Sequence, residues 1–212
     1  MHHRTELISV LGNYIRKHML MYVIIITMLV MGTIFGAIAA KILPENEKAG
    51  LFQDLIGFFS ALGSTTQTSA VSASHQGFFG NLKTVLIGWI LGLSVIGAPG
   101  IGVLVFLRGF IIGFTVGFLI LQMSGKGIIL AIISILPQNI FIIPALIFSC
   151  ESSLAFSKAV IKNRLRNMRE PLYPRFMLSC IAVICSIALL GIASIVEGFI
   201  TPVFIQLVSR HM

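Results

Sequence analysis

The residues best equipped for chemistry in this chain sit inside apolar runs. Arg108 opens RGFIIGFTVGF, residues 108–118, and Gly109, Gly113 and Gly117 then recur at every fourth position. Pro137, Gln138 and Asn139 interrupt a second run, ILPQNIFIIP, residues 135–144. An arginine at membrane depth is costly, so it either snorkels to the headgroups or takes a partner. Glu151 at the inner end of the second run is a candidate partner. Glu197 is less suited, because counting along its span places it near the opposite face. A proline frees a backbone carbonyl that a neighbouring amide can satisfy. Gln138 and Asn139 can also hydrogen-bond across helices, worth roughly 1 kcal/mol each. Interhelical glue is their first reading and a substrate site the alternative.

Each familiar membrane chemistry lacks a member. Proteolysis by serine and histidine needs a histidine at depth, whereas His18 borders an apolar run and His75 lies in a polar stretch. The chain has no HExxH pattern, no paired carboxylates at depth and no phosphate-binding loop. Cys150, Cys180 and Cys185 lie in or beside apolar segments, without a CxxC or Cys/His cluster. That argues against a disulfide framework or a zinc site. The His2–His3 pair is too isolated to hold a metal. No catalytic residue, cofactor or metal site is predicted.

What remains is small residues in register. Gly32 and Gly36, Gly88 and Gly92, and the triple after Arg108 each repeat at four-residue spacing. Such residues share a helix face and let two backbones approach closely. The faces could meet a neighbouring span, a second copy in a homodimer, or a partner's helix.

The elements that position these residues follow from composition. Of 212 residues, 57% are hydrophobic and 10% charged, and the mean hydropathy is +1.00. Soluble domains carry roughly a quarter charged residues, and a transmembrane helix needs about 20 apolar residues in sequence. The runs are continuously apolar rather than alternating, which excludes a β-barrel. The fold expected is an all-α polytopic membrane protein with about five transmembrane helices and short interfacial amphipathic helices. The spans are placed at about 19–40, 84–97, 101–122, 128–149 and 176–199. GAPG at 97–100 and SGKG at 124–127 supply turns, and Pro137 and Pro144 should kink the fourth span.

Outside the spans, residues 1–18 read as an amphipathic segment on the inner membrane surface, or as an extension of the first span. Residues 41–82 form an extracytoplasmic loop. Within it, 51–62 carries an apolar helical face and STTQTSAVSASHQG reads as a loop proper. Residues 150–175 are basic, with Lys158, Lys162, Arg164, Arg166, Arg169 and Arg175. Basic segments stay cytoplasmic, so the N-terminus is cytoplasmic and the C-terminus outside. The net charge of +8 is accounted for in this way and needs no nucleic acid. The first apolar run lacks a clear small-residue cleavage site and is read as a retained helix rather than a signal peptide.

Over nearly the whole chain, and most specifically from Asn81 to Phe148, the sequence resembles the stage II sporulation protein M family. The features that carry the likeness are Arg108–Gly117 with its GFTVG, the segment with Pro137, Gln138, Asn139 and Pro144, and MGTIFGAI in the first span. The first 17 residues and the loop at 41–80 carry little of it. The resemblance implies a multi-pass protein of the mother-cell membrane, at the sporulation septum and the engulfing membrane. It implies a non-enzymatic scaffold for engulfment that recruits and localises two septal peptidoglycan hydrolases, stage II sporulation proteins D and P. No catalytic residue carries over. The competing reading is a transporter or permease subunit partnering an ATPase, with Arg108, Gln138 and Asn139 lining a continuous polar path. A scaffold instead expects dry packing.

Overall fold

The computed structural model describes residues 2–63, 67–94, 97–166 and 172–200. All its regular elements are helical: α1 (His2–Ile42), α2 (Glu45–Gly63), α3 (Gln67–Leu93), α4 (Gly97–Arg166), α5 (Leu172–Ile195) and a π-helical turn (Val196–Ile200). Among the described residues, four stretches are long and apolar enough to cross a membrane: Met19–Ile42, Pro99–Met123, Gly127–Asn163 and Leu172–Gly198.

α1 is one continuous helix from His2 to Ile42, so residues 2–18 and the first span belong to one element. Pro44 ends it and opens α2, accepting bonds from Glu47 N at 3.1 Å and Lys48 N at 3.0 Å. Glu45 and Glu47 in the first turn of α2 complement its positive end.

Two turn placements differ from expectation. The serine-rich stretch read as a loop is helical from Gln67 onward. Between Gln67 and Gln76 it contains no proline or glycine, so the apolar helix behind it propagates outward without a new nucleus. Residues 64–66, also in that expected loop, lie outside the described residues. The break assigned to GAPG falls one step earlier, where Gly97 N donates to Ser94 O at 3.0 Å. A β-carbon on Gly97 would overlap the Leu91 carbonyl. Pro99 then sits in the first turn of α4, where its missing N–H costs nothing.

α4 is a hairpin of two arms. Helical hydrogen bonding continues through its tip, yet Gly127 lies against the carbonyl of Leu119, and Leu119 packs with Leu130 and Ala131. The expected kink at Pro137 and Pro144 is no interruption, since both sit within the second arm.

α3 is too polar to stand among the long apolar stretches, with a serine-rich first half and with Asn81 and Lys83 just past its midpoint. It nonetheless runs the depth of the bundle. Gly77 meets Glu197 near the end of α5, Trp89 meets Ser179 near its start, and Ser94 O accepts a bond from Ser157 at 3.1 Å. α3 is therefore antiparallel to α5 and parallel to the second arm of α4. The core between them is dry: Val85, Ile101, Val105, Leu146, Cys150 and Leu190 are all at most 1% exposed. Outward-facing residues such as Ile34, Ile90, Ile140 and Ile184 are large and apolar, as a lipid-facing surface requires.

Candidate functional site

The first arm of α4 presents two adjacent faces. One carries Gly109, Gly113 and Gly117, and it faces α1. A β-carbon on Gly109 would overlap the Leu29 carbonyl, one on Gly113 the Thr33 carbonyl, and one on Gly117 would stand 3.1 Å from Ala37 Cα. α1 reciprocates: Gly32 abuts the Phe106 carbonyl and Gly36 the Phe110 carbonyl. Both series ascend together, so the two helices run parallel with their glycines interlocked. The triple is occupied by the chain's own first helix.

Gly88 and Gly92 serve α3 in the same way, against the second arm of α4. A β-carbon at Gly92 would overlap Ser153, and one at Gly88 would meet Cys150 Sγ at 3.3 Å. Their counterpart is a stripe of Ser149, Ser153 and Ser157, each at most 1% exposed. Ser153 Oγ donates to Ser149 O at 2.8 Å, which discharges a buried hydroxyl within its own helix.

The other face of the first arm carries Arg108, Ile112 and Thr115. With Gly77, Gly80 and Asn81 of α3, Gln138 and Asn139 of α4, and Glu197 of the π-helical turn, these residues line a polar cavity of about 390 Å³. Arg108 and Glu197 attract one another across it. Arg108 thus neither snorkels to the inner face nor pairs with Glu151. Glu151 is fully buried and accepts a bond from Tyr22 Oη at 3.1 Å, tying α1 to the second arm of α4. The depth count against Glu197 does not hold, since Glu197 and Arg108 line the same cavity. The π-helical turn widens the helix at Val196–Ile200, which re-aims the side chains it carries, and Glu197 points into the bundle. Gly77 makes room for it, since a β-carbon there would overlap the Glu197 carboxylate.

The two amides part company. Oriented so that its NH₂ donates, Gln138 lies 2.8 and 3.2 Å from the two carboxylate oxygens of Glu197, linking α4 to the end of α5. Asn139 Nδ2 donates to Ile135 O at 2.7 Å in its own helix, and its Oδ1 is buried without a partner. It therefore does not serve the Ile133 carbonyl that Pro137 leaves without an amide.

A family profile described as stage II sporulation protein M matches residues 24–202. The chain belongs to this family. No curated protein and no solved structure matches it significantly. The stage II sporulation protein M family implies a sporulation-related membrane protein, generally a non-enzymatic one. The match begins within α1 and ends just past the π-helical turn, so seam and cavity both lie inside it.

Sequence reasoning missed three features of this site. The serine stripe was readable, since Ser149, Ser153 and Ser157 repeat at four-residue spacing, but it was submerged in a segment assigned by its basic charge. The Tyr22–Glu151 tie joins residues 129 positions apart, and nothing local announces it. The meeting of Glu197 with Arg108 at one cavity joins residues far apart in sequence, and the π-helical turn that carries Glu197 has no compositional signature.

Proposed function

We propose that this chain is a five-pass membrane scaffold for forespore engulfment, which recruits and localises the septal peptidoglycan hydrolases, stage II sporulation proteins D and P. The reading rests on membership of the stage II sporulation protein M family over residues 24–202. α3 is the fifth pass. Lys158, Lys162 and Arg175 gather at one end of the bundle, and the Pro44 turn and the tip of the α4 hairpin at the other. The basic end is cytoplasmic. In this orientation the N-terminus is inside and α2 outside; the mother-cell membrane at the septum is part of the proposal and rests on the family alone.

The dry core supports a scaffold over a transporter. Inward of the polar cavity the bundle is filled by Val105, Ile142, Leu146, Cys150 and Leu190, the opposite of a continuous polar path. Because the Gly109–Gly117 face is taken by α1, partners would engage other surfaces. α2 qualifies, since among the described residues it makes no extensive packing with any other helix and it stands on the side where the hydrolases act.

The test is a membrane pull-down with mass spectrometry from sporulating cells, using the full chain against a variant carrying Leu51→Ser and Phe52→Ser on α2. Recovery of both hydrolases with the unaltered chain, and their loss with the variant, is expected. Absence of both hydrolases from the unaltered chain overturns the scaffold reading, and their undiminished recovery with the variant overturns the role of α2.

A further inference from the structure

We propose that the cavity between α3, α4 and α5 binds a small zwitterionic solute of the α-amino acid class. This goes beyond the scaffold reading and does not depend on it. The cavity brings one cation, Arg108, and one anion, Glu197, to a space of about 390 Å³. The two feel one another's charge, yet among the described residues no salt bridge joins them. Opposite charges held apart in a low-dielectric bundle forfeit most of the attraction that would offset their desolvation. Something polar between them restores it.

The occupant's chemistry follows from what the walls leave unmet. Site charge sums to zero over Arg108 and Glu197, so an ion of either sign would introduce an unbalanced charge. A carboxylate suits the guanidinium as a charge-assisted pair. An ammonium suits Glu197, whose carboxylate has about four acceptor positions, of which Gln138 uses two. Asn139 adds an independent sign. It is only 8% exposed and lines the cavity, and its Oδ1 has no donor, a condition rare in buried amides unless a ligand or water completes them.

Size agrees with the same class. At about 30 Å³ per water, the space corresponds to a dozen or so waters, or to one small amino acid with a few waters. It also lies within the range of roughly 300–1,000 Å³ typical of small-molecule sites. The rim is open at Gly80, which is exposed. No β-carbon at Gly80 would meet another atom within 4 Å.

The experiment uses the full chain in lipid nanodiscs and reads the fluorescence melt of Trp89, the single tryptophan, together with isothermal titration. The probes are glycine, L- and D-alanine and L-glutamine, with acetate and methylammonium as half-ligand controls. At least one zwitterion should raise the melting temperature and titrate saturably, while neither half-ligand does so alone. Glu197→Gln and Arg108→Gln should each weaken that binding at least tenfold, and Thr27→Val, at an exposed position on α1 away from the cavity, should change it little. The proposal is overturned if no zwitterion shifts the unaltered protein, which would make the cavity a water pocket. It is also overturned if acetate reproduces the shift, or if Glu197→Gln binds the zwitterion undiminished. Should either charge variant fail to fold, the panel on the unaltered chain still decides.

Discussion

A single methyl group at Gly113 should loosen the joint between α1 and α4, and its effect can be worked from the contacts. The added β-carbon of Gly113→Ala would overlap the Thr33 carbonyl and stand 2.6 Å from both Thr33 C and Cα. All three are backbone atoms, so no rotamer change relieves the clash. The helices must part by on the order of 1 Å to reach ordinary contact distance, and a gap of that size forfeits a quarter to a half of each dispersion well. If ~20 atom pairs along the seam lose a third of ~0.15 kcal/mol each, about 1 kcal/mol goes. Overpacking strain adds about 1–3 kcal/mol, and alanine's better helix propensity returns up to ~1 kcal/mol. The net loss is about 1–3 kcal/mol, roughly a 5- to 160-fold shift in the folding equilibrium.

The internal control lies on the same arm. Gly102 has nothing within 4 Å of where its β-carbon would be, so Gly102→Ala should be neutral or slightly stabilising. SDS titration in detergent micelles, followed by Trp89 fluorescence, compares the two. The reasoning is refuted if Gly113→Ala and Gly102→Ala unfold at the same midpoint, because both change the same propensity and only one should clash.

Gly92→Ala should destabilise the packing of α3 on α4 by a similar amount, whereas Gly88→Ala should be milder, since its nearest neighbour is the Cys150 side chain at 3.3 Å; combining Gly88→Ala with Cys150→Ala should recover most of the loss in the same titration. Ser179→Ala removes the acceptor of the 2.9 Å bond from Trp89 Nε1, and should cost about 1 kcal/mol with a measurable shift of the tryptophan emission maximum. Tyr22→Phe deletes the hydroxyl that donates to the fully buried Glu151, and should destabilise the fold by about 1–3 kcal/mol, more than Tyr173→Phe at an exposed position on α5.

The helical class and the apolar stretches were legible because bilayer physics writes directly into composition: Met19–Ile42 and Leu172–Gly198 hold almost nothing but apolar side chains. The glycine spacings were legible as packing surfaces, because a four-residue repeat defines a face whatever it meets. What that face meets was not legible. Gly113 reads identically whether it abuts Thr33, a second copy or a partner, and only the tertiary register decides. Boundaries set by breakers went astray where a breaker is harmless. Pro99 marks a turn in sequence but opens a helix in space, and the polar stretch before Phe78 is helical because nothing in it forbids a helix. The cavity was half legible. Arg108, Gln138 and Asn139 stood out by polarity, but Glu197 was excluded by a residue count along its span, and such a count does not fix where side chains of two helices meet.

The two faces of the first α4 arm are set by one rotation. Arg108 precedes Gly109 by one residue, and successive helical residues point about 100° apart. Gly109, Gly113 and Gly117 therefore share the seam, while Arg108, Ile112 and Thr115 share the cavity wall beside it. The seam explains how the chain can keep a buried cation. Close packing against α1 fixes the rotation of the arm, because four glycines interlock with carbonyls and any turn of either helix brings β-carbons into backbone. With the rotation fixed, Arg108 is directed away from lipid and toward Glu197. Widening the seam should then disturb the cavity without touching it. In Gly113→Ala the placement of Arg108 relative to Glu197 is altered by the movement of the arm, and whatever the cavity binds should bind more weakly. Gly92→Ala, which strains α3 at its opposite end from Gly77, should leave that binding closer to normal.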